Sequence, residues 1–179
     1  MIQYVAFLRG INVGGHKIIK MDALRDIFTA CGFDQVQTYI QSGNVIFAAA
    51  DTPLPQLEAQ AQAQLQATLG YAVEIFVRPL ADLPTLLDTQ PFPDRRADDG
   101  SMLYITFLHQ EPSTERQNAL LALANDNEQF HFAGRELYYW RRQQLDKDVF
   151  SNNLVEKHLG SPATTRNVTT LNKIVRKYL

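Results

Sequence analysis

The first 79 residues switch repeatedly between two incompatible hydrophobic periods, and no other feature restricts the fold as much. Ile2 to Leu8 is a β-rich, mostly apolar run that stops at Arg9-Gly10, so it predicts a buried strand. Met21, Leu24, Ile27, Phe28 and Cys31 then recur at helical spacing, and Gly32 follows as a stop. Gln35 to Ile40 and Asn44 to Ala48 return to strand character on either side of Gln41-Ser42-Gly43, a tight hairpin with Ser-Gly as its turn and Gly43 at positive φ. Thr52 is placed to cap a second helix with Pro53 at its first position, and Leu57, Ala61, Leu65 and Leu69 carry that helix to Gly70. Ala72 to Val77 is a further strand, closed by Pro79. Strand, helix, strand, strand, helix, strand is the ferredoxin-like order, an antiparallel sheet with both helices on one face.

The remainder repeats the order. A short helix is predicted over Ala81 to Leu87, a polar loop from Pro91 to Gly100, and a strand from Met102 to His109. Ser113 can cap a helix carrying Leu120, Leu121 and Leu123. Glu128 to Phe132 and Glu136 to Arg141 form a hairpin through Ala133-Gly134-Arg135, and a helix runs from about Phe150 to Leu159. No final strand is predicted; Leu171, Ile174, Val175 and Tyr178 mark a terminal amphipathic helix. The expected class is therefore α+β, with two ferredoxin-like (βαββαβ-type) halves over 1–79 and 80–179 and a C-terminal helix. The halves share element order but no obvious sequence similarity. Tyr138, Tyr139, Trp140, Arg141 and Arg142 form an aromatic and basic strand, and alternation predicts that only one of its faces is buried.

Composition narrows the function classes. With 45% hydrophobic and 20% charged residues the chain is globular, and 179 residues bury a core without a disulfide or metal staple. The single cysteine, Cys31, excludes an intrachain disulfide and a Cys-rich metal site. There is no basic leader and no apolar run of bilayer length, so a cytoplasmic protein without a membrane partner is expected. A net charge of −2 argues against nucleic-acid binding by the whole surface. The charge is uneven: residues 1–20 carry Arg9, Lys17 and Lys20 and no acid, residues 151–179 carry five cations against Glu156, and residues 51–100 carry eight acids against three arginines. Both ends are basic and the middle is acidic.

Three segments could carry chemistry. Arg9-Gly10-Ile11-Asn12-Val13-Gly14-Gly15-His16-Lys17 places glycines, cations and an amide between a strand and a helix, where backbone N–H groups can approach an anion. It matches neither the dinucleotide-binding nor the P-loop pattern, and a plain glycine-bearing connection with solvated cations is the other reading. Gln41-Ser42-Gly43-Asn44 reads as a turn; it lacks the strand–elbow–helix context and the partner histidine of a hydrolase serine. Thr164-Thr165-Arg166-Asn167-Val168 places hydroxyls, a helix cap and a guanidinium together, suited to a phosphate or carboxylate or to an internal acid. The topology puts the loop after the first strand and the hairpin after the second at one sheet edge, so Arg9, Asn12, Ser42, Gly43 and Asn44 should cluster. His16, His109, His131 and His158 show no metal-ligand spacing, and Asp94, Asp98 and Asp99 read as a solvated loop. Asn44-Val45-Ile46-Phe47 lacks the stacking pattern of an RNA-recognition strand.

Tyr4 to Gly15, Thr38 to Phe47 and Thr165-Arg166-Asn167 resemble the domain-of-unknown-function family 1697 (DUF1697). The resemblance implies a bacterial, cytosolic protein with a duplicated α+β fold and supplies no catalytic role. Val168 stands where the family pattern usually carries Trp, which removes an aromatic contact at that position. The expectation is a cytosolic protein that binds a phosphorylated or other anionic small ligand or nucleotide. Arg9, Asn12, Gly14, Gly15, Ser42, Asn44, Arg166 and Asn167 are the candidate ligand-binding residues, with no metal and no cofactor named. An enzyme acting on such an anion, and a structural, interaction or RNA-binding module, are the alternatives. The first lacks a visible general base; the acidic middle would confine RNA to one face.

Overall fold

The computed structural model describes residues 1–13, 18–93, 101–142 and 150–179. Two units emerge from the backbone contacts, Met1–Pro84 with Ile174–Leu179, and Thr85–Lys173.

The N-terminal unit runs β1 (Ile2–Leu8), α1 (Met21–Ala30), β2 (Asp34–Tyr39), β3 (Asn44–Ala49), α2 (Leu54–Leu69) and β4 (Ile75–Pro79). Its sheet has the order β2-β3-β1-β4, every pair antiparallel, which is the ferredoxin-like arrangement. Leu24, Ile27 and Phe28 of α1 and Leu57, Ala61 and Leu65 of α2 bury one helix face each against Tyr4, Ala6, Leu8, Val45, Phe47 and Val77 of the sheet. Each large apolar side chain fully removed from water there contributes roughly 1.5–3 kcal/mol. Val5, Phe7, Ile46 and Phe76 point to the other face and are also buried. Burial on both faces is why β1 and β3 read as continuous apolar runs rather than alternating ones.

The rest of the chain runs from α3 (Leu83–Asp88) through β5 (Met102–Leu108), α4 (Thr114–Leu121), β6 (Glu128–Ala133), β7 (Glu136–Arg141), α5 (Asn152–Leu159) and β8 (Ala163–Asn167), the strands of the C-terminal unit, into α6 (Val168–Tyr178), whose residues from Ile174 on belong to the first unit. Its sheet has the order β6-β7-β5-β8, again antiparallel throughout. Leu120 of α4 and Val155 and Leu159 of α5 pack on Leu108, Leu137 and Tyr139.

Several local expectations are corrected. The second unit does close with a strand, β8, which holds Thr164, Thr165, Arg166 and Asn167. Its polar composition hid it, because pairing with β5 rather than apolar content makes it a strand. In β7, Leu137 to Trp140 are all buried, so the strand is covered on both faces rather than on one. Tyr138 on the face away from α4 and α5 donates to the Leu86 carbonyl at 2.8 Å. Thr52 does not cap α2: the cap position falls on Pro53, without a side-chain hydrogen bond, and Pro55 occupies the first turn. The hairpin between β2 and β3 is a four-residue connection, 40–43, with Ile40 at φ 50° as well as Gly43 at φ 76°.

The two halves also share more than element order. Tyr4, Val5, Ala6, Phe7 and Leu8 pair with Pro79, Arg78, Val77, Phe76 and Ile75. Tyr104, Ile105, Thr106, Phe107 and Leu108 pair with Asn167, Arg166, Thr165, Thr164 and Ala163 in the same register. Tyr-x-x-Phe-Leu therefore recurs at equivalent places, and buried Arg78 occupies the position of buried Arg166. The stacked pair Tyr4–Phe47 at 5.6 Å matches the stacked pair Tyr104–Tyr139 at 5.7 Å. In each unit a glutamate from the second helix serves the outer strand: Glu58 accepts from the Val77 N–H and Glu156 from the Ala163 N–H, both at 2.8 Å.

Candidate functional site

The strand register assembles the first candidate cluster. Phe7 pairs with Asn44, and the Leu8 N–H donates to the Gly43 carbonyl at 2.9 Å, so the end of β1 lies beside the start of β3. The Arg9 N–H continues the pairing by donating to the Glu74 carbonyl at 2.9 Å. Beyond it the chain turns through Gly10 at φ 67° and Asn12 at φ 55°. Asparagine tolerates that left-handed conformation because its short amide bonds locally.

Asn12 fastens this loop in place. Its Oδ1 accepts from the Ile19 N–H at 2.8 Å, and its Nδ2 donates to the Ile19 carbonyl at 3.1 Å and the Gln41 carbonyl at 2.9 Å. One side chain thus joins the two ends of the loop and ties both to the hairpin. Asn44 does the corresponding work for the hairpin: fully buried, it donates to the Tyr39 carbonyl and to Ser42 Oγ, both at 3.0 Å. Gly43 lets the two segments meet, since a Cβ there would sit 2.7 Å from Ile11 Cδ1 and 3.1 Å from Leu8 Cβ. Asn12, Ser42, Gly43 and Asn44 come together at this end of the sheet, and Arg9 follows Leu8 where β1 leaves it. Arg9 is partly exposed and Lys20 exposed. Exposed Val13, Ile18 and Ile40 give the same lobe an apolar rim. Gly14 and Gly15 lie outside the described residues, as do His16, Lys17, Asp94, Asp98 and Asp99.

Arg166 and Asn167 belong to the other unit. Arg166 lies on β8 opposite Ile105, and its Nη1 donates to Thr164 Oγ1 and to the Thr165 carbonyl, both at 2.9 Å. Burial pushes its guanidinium down from the ordinary arginine range to about 10. Asn167 Oδ1 accepts from the Thr169 N–H at 2.7 Å, capping α6 as its side chain suggests. Arg78, which sequence reasoning did not single out, makes the same bond as its counterpart, Nη1 to the preceding carbonyl at 2.8 Å. The repeated Tyr-x-x-Phe-Leu was the signal that would have aligned the two arginines. Among the described residues, no three His, Cys, Asp or Glu side chains come together as a metal site, and no helix is long and apolar enough to cross a membrane.

The model of a family described as "Protein of unknown function (DUF1697)" matches residues 1–138. The chain belongs to the DUF1697 family. The match takes in the whole Arg9–Asn44 cluster and ends within β7. Among solved structures, this DUF1697 chain is similar to the conserved bacterial protein SP0830 from Streptococcus pneumoniae, at 25% identity and a TM-score of 0.71. That likeness covers 98% of this chain and 97% of the other, so it includes both units. No curated protein matches the chain.

Proposed function

We propose that this protein binds a small anionic ligand, such as a phosphorylated metabolite or nucleotide, at the loop that follows β1. Arg9 is the charge-bearing group, and Asn12, Ser42, Gly43 and Asn44 position the loop against the hairpin. The observation that carries the reading is the threefold bonding of Asn12, which pins both ends of the loop next to a partly exposed arginine. A side chain committed to three internal bonds at positive φ fixes where the chain leaves β1 and where it approaches α1, and fixed backbone positions favour anion recognition. Arg166 and Asn167 are assigned to the fold, because Arg166 Nη1 bonds within β8 and Asn167 Oδ1 caps α6.

A second reading makes the whole cluster structural. It is favoured by Asn12 and Asn44 both donating to protein carbonyls rather than facing outward. A thermal-shift screen with inorganic phosphate, nucleoside monophosphates, sugar phosphates and short RNAs separates the two. Ligand binding raises the melting temperature of the wild type, and Arg9→Ala abolishes the shift without lowering its own unliganded melting temperature. Asn12→Ala weakens the shift and also speeds hydrogen exchange at the Ile19 amide. If no anion shifts the wild type, or Arg9→Ala responds as the wild type does, the cluster serves the fold alone.

A further inference from the structure

The second sheet ends at β6, and the backbone bonds of that strand can be followed residue by residue. The Arg142 N–H donates to the Asn127 carbonyl at 3.0 Å, and the pairing alternates from there along the hairpin. Gln129, His131 and Ala133, opposite Trp140, Tyr138 and Glu136, therefore direct their N–H and C=O groups at β7. Glu128, Phe130 and Phe132 direct theirs away from it. Glu128 is served by the preceding turn: its N–H donates to the Asn125 carbonyl at 3.3 Å, and its carbonyl accepts from the Asn125 N–H at 2.8 Å. Among the described residues, none bonds to the outward backbone groups of Phe130 and Phe132. Both residues thus hold a donor and an acceptor in a row along the border of the sheet.

Nothing in the strand guards this border. Gln129 to Ala133 contain no lysine, no proline, no glycine and no carboxylate. The six residue pairs with β7 run without a register shift, so the strand is straight as well as uncharged. Border strands ordinarily carry one of these devices. The internal repeat makes the omission specific to β6. In the first sheet the same place is taken by β2, whose pairing shifts between Asp34 and Gln37. One copy of the framework interrupts its border and the other leaves it regular.

We infer that β6 pairs antiparallel with β6 of a second copy of this chain, about a two-fold axis through His131. Among two-fold pairings of this strand, that register is the one in which every open residue faces an open residue. Phe130 of each copy meets Phe132 of the other, and the two exchange N–H···O=C bonds, so no outward group is left over. Centring on Phe130 would instead set Phe132 against Glu128, whose groups the Asn125 turn already holds. The side chains match in the same register. Partly exposed Phe132 comes against Phe130, Gln129 stands opposite Ala133, and exposed His131 stands opposite its twin, with no lysine or carboxylate between them. A foreign strand has to bring such a sequence; the chain itself already carries it. The proposal stands apart from the loop after β1.

The test combines sedimentation of the full chain over a range of concentrations with cysteine cross-linking. The wild type passes from monomer to dimer as its concentration rises, since pairing through one short strand gives a reversible contact. His131→Lys, at an exposed position, sets like charges opposite each other. It raises the dimer dissociation constant about tenfold or more and leaves the melting temperature of the dilute monomer unchanged. Cross-linking checks the register independently, in a Cys31→Ser background that removes the native thiol. His131→Cys links to its twin on oxidation with diamide, because partners of this kind have Cα atoms about 4.5 Å apart, within disulfide reach. Gln129→Cys lies roughly 13 Å from its twin and does not link. Arg9→Ala dimerises as the wild type does, so this outcome is separate from that of the loop site. The inference is overturned if the wild type stays monomeric at every concentration, if His131→Lys dimerises equally well, or if Gln129→Cys links as readily as His131→Cys.

Discussion

Gly43→Ala isolates the contact that joins the hairpin to the loop. Two effects add at this position. Gly43 sits at φ 76°, where an L-residue costs roughly 1–2 kcal/mol. In addition a Cβ would come within 2.7 Å of Ile11 Cδ1, 2.8 Å of Ile11 Cγ1 and 3.1 Å of Leu8 Cβ. Ile11 is 2% exposed and Leu8 1%, so neither can swing into solvent, and forcing carbon into a packed site costs roughly 1–3 kcal/mol. Gly10 supplies the control within the same loop: its φ is 67°, but nothing lies within 4 Å of an added Cβ. Gly10→Ala therefore meets only the backbone penalty, reduced by about 0.4–1 kcal/mol because alanine also restricts the unfolded chain. Net losses of about 2–4 kcal/mol for Gly43→Ala and about 1 kcal/mol for Gly10→Ala follow. At this chain length each kcal/mol moves the melting temperature by roughly 2–4 °C. Urea titrations followed by fluorescence, with melting curves alongside, measure both. Equal losses in the two variants would refute the close approach and with it the view that hairpin and loop form one unit.

Two further predictions use other parts of the chain. Burial raises the Cys31 thiol from 9.0 to about 11, and its Sγ lies 3.3 Å from the Ile27 carbonyl. Because this acid is held protonated in the folded state, its contribution is fully present below pH 9 and is lost as pH rises toward 11; at pH 8 iodoacetamide alkylates the native thiol at least about tenfold more slowly than the urea-unfolded one. Comparable rates would show an accessible thiolate. Glu58→Ala removes the acceptor of the buried Val77 N–H and lowers stability by about 1–3 kcal/mol, whereas Glu58→Gln retains an acceptor oxygen and loses less. Equal losses in the two would assign the effect to charge rather than to the backbone bond.

The elements that were legible in the chain were those whose partners lie nearby in sequence. Leu24, Ile27 and Phe28, or Leu57, Ala61 and Leu65, announce their helix face through spacing alone, and these faces are the buried ones. The meeting of the Asn12 loop with the Asn44 hairpin was legible through topology, since antiparallel pairing of β1 with β3 must bring the end of one to the start of the other. What each side chain does there was not, because Asn12 bonds to Gln41, 29 residues away, and polarity alone does not distinguish a ligand group from a brace. β8 was illegible for a related reason. Thr164, Thr165 and Arg166 have no apolar signature, and only the Tyr104–Leu108 strand defines them.

The paired glutamates bear on how the protein behaves when concentrated. A sheet that ends in an open row of donors and acceptors invites a strand from another molecule, and such additions seed aggregates. Here the last strand of one sheet, β4, has the Val77 donor taken by Glu58, and the last strand of the other, β8, has the Ala163 donor taken by Glu156. The opposite border of the first sheet is broken by a bulge between Asp34 and Gln37, with Gln35 at φ 50°. A second copy approaching any of these three borders meets a carboxylate or a kink instead of a template, which suits a two-sheet protein to crowded solution.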